Sequence, residues 1–416
     1  IYVHLKSGGL QADAGDANGA YVQIGYGGKD AATNTHNAAI EIEFCEAGDI
    51  VFNGGTGLAS YAQIGRMGYR SATGNTATAT GDITVTGFHN LDLNAGRGSG
   101  AYVQVGHGGV EGDANKSGNI TLTGASATAD QGALTLDGSA NGVASDSYAQ
   151  IGHGGAYVNG SSGTGSAVDS AILVKTSGNA ATDGIHLKGG TGSDSYAMIG
   201  SGGREGSFDV LGNVTVTSAG GGISLEGTTT NAFSLIGNGG HVVAGALSGT
   251  TTVTSNGGGS ADGISLKGGF GTYSYANIGH ATNNVTGSML NSDTIVKILG
   301  GGLSITAGSG TLAGASIGLQ SRAFFGDRSG KIDVDVLAGD VTMTSVSGTA
   351  SFAQIGHGGW GQSGIGNMSG EVTLTVDNGT LTMLGGESSA VPANDYGKYA
   401  MIGHGGGAAH SGTTTG

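Results

Sequence analysis

A single cysteine, Cys45, and a single proline, Pro392, stand among 416 residues. With one thiol, no disulfide can form within the chain, which excludes the small cross-linked secreted module. Near-absence of proline, beside 90 glycines without a three-residue period, excludes a collagen-like triple helix. Charged residues make up only 11% of the chain, against about 25% in an ordinary soluble domain. Aromatic residues are scarce too, at 6%. Basic residues are outnumbered 15 to 30 by acidic ones, giving a net charge of −15. That balance opposes nucleic-acid binding, which needs a basic surface. No apolar run reaches the roughly 20 residues of a membrane-spanning helix, and no secretory leader is visible. The chain is nonetheless 37% hydrophobic, which excludes the sparse, highly charged composition of disordered proteins. What remains is Val, Ile, Leu and Thr in short runs between glycines, the composition of many short strands joined by tight turns.

One repeat organises these runs. Tyr21-Val-Gln-Ile-Gly25 returns at Tyr61, Tyr102, Tyr148, Tyr196, Phe233, Tyr275, Phe352 and Tyr399, with a degenerate copy at Gly314-Ala-Ser-Ile-Gly318. The closing glycines are Gly25, Gly65, Gly106, Gly152, Gly200, Gly237, Gly279, Gly318, Gly356 and Gly403, at intervals of 37 to 48 residues. Two alternating apolar–polar segments precede most copies, such as Val214-Thr-Val-Thr217 and Ile223-Ser-Leu225. Alternation of this kind marks a strand with one buried face. The spacing predicts an all-β parallel solenoid, a right-handed β-helix of about ten coils. Each coil has about 42 residues and three strands, and residues 1–416 form one continuous body. A lone coil cannot bury its apolar face, whereas stacked coils can. At about 4.8 Å per coil, ten would make a rod roughly 45–50 Å long. The closing glycines are expected at tight corners where a side chain would clash. The chain opens within a strand-like segment and reads as part of something longer.

In Tyr-Ala-Gln-Ile, Ala and Ile point one way, Tyr and Gln the other. With Ile inward, the outer face carries Tyr21, Tyr61, Tyr102, Tyr148, Tyr196, Phe233, Tyr275, Phe352 and Tyr399. Beside them run Gln63, Gln104, Gln150 and Gln354. This stripe is the candidate interaction surface. Either loops of the same chain fold back over it or a neighbouring protein covers it, since long apolar stripes are rarely left bare.

Histidine follows the glycine at His107, His153, His280, His357 and His404. No carboxylate or cysteine recurs beside these rings, so they are read as turn residues rather than metal ligands. Thr-x-Thr pairs, as at Thr84 and Thr86 or Thr252 and Thr254, resemble an ice-binding array. Lys175, Lys297, Asp333 and Asp335 interrupt it. The nearest approach to a catalytic cluster is Arg322 to Arg328 with Asp327, followed by Asp333 and Asp335. That segment reads better as a salt-bridged surface, and no catalytic residue, metal or cofactor is expected. A carbohydrate-active β-helix enzyme is the alternative reading.

Gly-rich coils, Val-Thr-Val-Thr strands and the recurring Tyr-Ala-Gln-Ile-Gly-His-Gly-Gly segment resemble the large bacterial exoproteins of the filamentous-haemagglutinin type. The resemblance implies export through an outer-membrane partner transporter and a place outside the cell or on its surface. It also implies a role in adhesion or surface structure. The expected partners are other copies of the chain, lateral or end to end, and host or surface glycans.

Overall fold

A computed structural model describes the chain except residues 32–36, 71–77, 113–114, 126–131, 140–143, 158–167, 179–183, 258–261, 286, 325, 346–347, 360–365, 387–396, 407–413 and 416. The side chains of residues 168–169, 281–285, 321–324 and 414–415 also lie outside the description. Pro392 falls in this excluded set. The fold is an all-β solenoid in which every strand pairing is parallel. Equivalent segments of successive repeats lie side by side in register. No helix of the described residues is long and apolar enough to cross a membrane.

One coil shows the plan. Val214–Ser218 and Ile223–Glu226 form two strands of an 18-stranded sheet that bends around the solenoid. Phe233–Ile236 belongs to a ten-stranded sheet that collects the Tyr-x-x-Ile segments. Gly239–Val243 belongs to a five-stranded sheet, and Leu247 bridges to its neighbours at Val210 and Met289. The next coil begins at Thr251–Ser255. Three strands per coil therefore undercounts the fold. In Gly154–Ala156, Gly202–Gly206 and Gly239–Val243 the fourth strand opens on a Gly-Gly pair, which carries no alternation to betray it. Elsewhere two expected strands merge: Ile83–Asn94 runs continuously around a corner, with Phe88 buried at the bend.

Register turns the repeat into columns. Val85, Leu122, Val174, Val216, Val253, Val296 and Val334 stack through the core, each fully buried. Ile64, Val105, Ile151, Ile199, Ile236, Ile278, Ile317 and Ile355 form a second column on the opposite wall. Burying each such side chain contributes about 1.5–3 kcal/mol. β-Branched residues dominate because their stiff side chains fit a pleated, half-buried strand. Between strands, Asp or Asn reaches one coil onward. Asp82 Oδ1 accepts the Asn119 amide at 2.8 Å, and Asn213 Oδ1 accepts the Thr250 amide at 2.8 Å.

Candidate functional site

The tyrosine strand is buried on both sides. Its Ile and Ala side face the main core, and its Tyr and Gln side enters a second interior. Tyr61, Tyr102, Tyr148, Tyr196 and Phe233 are 0% exposed, as are Gln63, Gln104, Gln150 and Gln354. The expected stripe is thus a core column, covered by the chain's own returning segments rather than offered to a neighbour. Ala59, Tyr69, Val110 and Ala156 pack over it. The column is most open at Tyr21, which is 49% exposed, and is partly exposed at Tyr275 and Tyr399.

The rings stack like coins. Centroid separations run from 4.7 to 5.1 Å between Tyr21, Tyr61, Tyr102, Tyr148, Tyr196, Phe233 and Tyr275, and planes tilt by no more than 8°. Carbon surfaces touch at about 3.5–4.0 Å, so near-parallel rings this far apart are slipped sideways. Slipped stacking is the arrangement that the ring quadrupole favours. The column breaks at Gly314, where a methyl group would stand 2.2 Å from the Phe352 ring. Phe352 has leaned into the gap, then stacks on Tyr399 at 5.6 Å.

Glutamine ties each coil to the next. Gln104 Nε2 donates to the carbonyls of Gly152 and Gly154, at 2.9 and 3.3 Å. Gln63, Gln150 and Gln354 repeat the contact one coil onward. The turn glycines permit this proximity. Gly152 adopts φ 153°, and a methyl there would stand 1.8 Å from the Gly200 oxygen. Gly155 must be bare for another reason: its missing methyl would meet the Gly109 oxygen at 2.2 Å and the Tyr148 hydroxyl at 2.8 Å. Tyrosine and the second glycine of Gly-Gly are therefore one packing unit.

The residue after the closing glycine forms a further ladder. The His107 amide donates to Nδ1 of His153 at 2.9 Å, so His153 carries its proton on Nε2, which donates to the Gly118 carbonyl at 2.9 Å. Ser201 Oγ accepts the His153 amide at 3.2 Å, and Asn238 Oδ1 accepts the Ser201 amide at 3.0 Å. His, Ser and Asn at this position share one job, accepting the preceding coil's amide. The structure brings the histidines together as stacked pairs, His107 with His153 at 4.7 Å and His357 with His404 at 4.6 Å. Among the described residues, no group of three potential ligands could hold a metal ion.

A charge cluster escaped sequence reasoning because its members lie apart along the repeat: Asp146 and Asp194 each stand two residues before the tyrosine, and Arg204 follows the Gly202-Gly203 pair. Arg204 pairs with Asp146, lies 3.8 Å from Asp194, bonds Glu205 at 2.9 Å and donates to the Tyr157 hydroxyl at 2.5 Å. Nδ1 of His241 lies 3.7 Å from Asp194. The Arg204, Asp146 and Asp194 side chains are only 12%, 18% and 17% exposed. Burial pushes the Asp194 carboxyl upward and the Arg204 guanidinium downward. Asp146 and Asp194 each adopt a left-handed turn, at φ 68° and 62°, in coils stacked on one another. Backbone geometry sets the two carboxylates together, and Arg204 pairs with both. Arg204→Met is expected to cost about 3–5 kcal/mol, the usual penalty for orphaning buried charge. Because the stranded carboxylates cost most when ionised, thermal melts should show this loss at pH 7 and recover part of it as pH falls toward 4.

The other candidates serve local structure. Asp327 Oδ1 accepts the Asn367 amide at 2.8 Å and its side-chain amide at 3.1 Å. Asp333 pairs with Lys331 at 2.8 Å, and Arg328 is buried with Nη1 on the Gly358 carbonyl at 3.0 Å. The Arg322 side chain lies outside the described residues. The threonine pairs do stack, Thr84 on Thr121 and Thr215 on Thr252, but Leu173 and Ile295 interrupt one column. Lys175 and Lys297 interrupt the other. No protein-family model, curated protein sequence or solved structure matches the chain.

Proposed function

We propose that this chain is a structural repeat segment of a large extracellular bacterial fibre or adhesin, working as a stiff rod. One observation carries the reading: coils are joined by continuous ladders of rings, amides and backbone bonds that run along the axis. Seven successive aromatic rings span the stack from Tyr21 to Tyr275 without a gap. Such a body resists bending and tolerates sequence change on its outer faces, which suits a spacer or display arm. Its mechanism is mechanical, and multivalent if copies associate.

The Tyr and Gln columns are unavailable for lateral assembly because they are buried. Association of copies would use the outer threonine-bearing faces, where Thr215 and Thr252 stack in register. Electron microscopy of the 416-residue polypeptide at rising concentration is expected to show stiff rods that associate side by side. Thr215→Glu with Thr252→Glu, which adds like charge to that face, should leave single rods. Globular particles, or association unaffected by the double substitution, would count against the proposal. Host or surface glycans remain the proposed ligands, and an outer-membrane transporter the proposed export partner.

A further inference from the structure

We propose that the histidine ladder is an acid-sensitive clasp, which loosens the glycine-turn side of the solenoid when the surroundings acidify. The geometry carries this. His153 is fully buried with both ring nitrogens engaged, Nδ1 as acceptor for the His107 amide and Nε2 as donor to Gly118. His404 holds the same pair of bonds, to the His357 amide at 3.2 Å and the Gly370 carbonyl at 2.8 Å. His357 accepts the Leu319 amide at 3.4 Å and donates to Gly330 at 2.9 Å. A second proton on Nδ1 would face an N–H donor, so imidazolium cannot form without breaking the inter-coil bond.

The surroundings add to the penalty. His107 faces His153, Arg66 and Lys116, and His153 faces Lys116 with Asp82 as the one acidic neighbour. His357 faces His404 and Arg328. Around His280 burial dominates, opposed by hydrogen bonds to the backbone of Gly249 and Ser248. Burial pulls His280 down to about 4, and burial reinforced by the neighbouring cations pulls His153 to about 4 and His357 to about 3. In an opened chain each ring returns to about 6.5. A histidine held below its free value contributes stability that is complete above pH 6.5. That contribution is lost as pH falls from 6.5 toward 4.

The chain contains its own control. Asn238 makes the same two bonds, Oδ1 to the Ser201 amide at 3.0 Å and Nδ2 to the Gly212 carbonyl at 2.8 Å, without a titratable group. His153→Asn should therefore keep the clasp and remove its pH sensitivity.

The experiment is amide hydrogen exchange by NMR on the 416-residue chain at pH 7 and pH 4.5, read as protection factors. With His153 shifted from 6.5 to about 4, wild-type protection at the His107 amide should fall roughly fifty- to a hundredfold. In His153→Asn the fall at His107 should be less than about threefold, while the Leu319 amide, which His357 Nδ1 accepts, keeps its wild-type response. Equal pH dependence at His107 in both proteins would overturn the proposal, as would unchanged wild-type protection. Should the variant fail to fold, titrating the His153 ring resonances of the wild type decides. Protonation below pH 5 supports the clasp, and protonation near 6.5 refutes it.

Discussion

Gly152→Ala is expected to disrupt the stack around its coil, at a cost on the order of 5 kcal/mol, far above the typical point substitution. Two penalties add. The backbone at φ 153° lies in a region that L side chains rarely adopt, worth about 1–3 kcal/mol. The methyl would also stand 1.8 Å from the Gly200 oxygen, so the coils must separate. Separation stretches the bond from the Gly200 amide to Ile151 and that from the Gly202 amide to His153, both 2.9 Å. It also draws the Gln150 amide off the carbonyls of Gly200 and Gly202. Gly8→Ala is the control. Gly8 also has positive φ, 84°, but nothing lies within 4 Å of the added carbon. Its cost should stay near the roughly 1–2 kcal/mol of backbone strain alone. Denaturant melts of the two variants, run side by side, separate contact from conformation. Equal losses would contradict the packing account.

The second large effect lies in the ring column. Tyr148 is enclosed between Tyr102 and Tyr196, each 4.8 Å away. Tyr148→Ala should cost about 3–5 kcal/mol, as for other large buried aromatics. Loss of two stacked pairs adds about 0.5–1.5 kcal/mol each. Tyr148→Phe should behave quite differently. Among the described residues, the buried Tyr148 hydroxyl meets no hydrogen-bond partner, nor does that of Tyr102. Removing such a group relieves a desolvation penalty, so Phe should be neutral or stabilising by up to about 1 kcal/mol. At Tyr196, whose hydroxyl donates to Gln150 Oε1 at 3.3 Å, the same change should cost about 0.5–1.5 kcal/mol. Phe233 and Phe352 already occupy this column. Chemical denaturation of the two Phe variants checks the ranking, and a uniform loss would contradict it.

These predictions depend on which parts of the fold the sequence could reveal. The columns were legible because Val, Thr and Leu alternate, and because Tyr-x-x-Ile-Gly recurs often enough to set the register. Period-two alternation reveals that a strand has two faces, but not what covers each. For Val214–Ser218 the outward threonines meet solvent. In Tyr148–Ile151 all four residues are buried, because the chain returns across the Tyr side. The returning strand is glycine, as in Gly202–Gly206, and glycine has no side chain to alternate. The clue was present in another form: a Tyr followed at a fixed distance by Gly-Gly, the second glycine vacating room for the hydroxyl. The histidine ladder was hidden by its own chemical tolerance. His, Ser and Asn look unrelated in sequence, yet each accepts the same amide. Of the Arg204 cluster, only the stacking of Asp146 on Asp194 follows from the repeat, since each stands two residues before its tyrosine; the approach of Arg204 to both needs the fold.

The central claim is that successive coils stack in parallel and in one register. Disulfide trapping tests it most directly, in a Cys45→Ser background. Thr215 and Thr252 are register partners on the outer face. Neighbouring parallel strands lie about 4.8 Å apart, within reach of a disulfide. Thr215 and Thr254 are offset by two residues, placing their Cα atoms roughly 8 Å apart, beyond the bridging limit. The account expects Thr215→Cys with Thr252→Cys to cross-link on mild oxidation within a monomer, and Thr215→Cys with Thr254→Cys to stay reduced. Cross-linking of the offset pair, or of neither, would contradict the solenoid register on which every other argument depends.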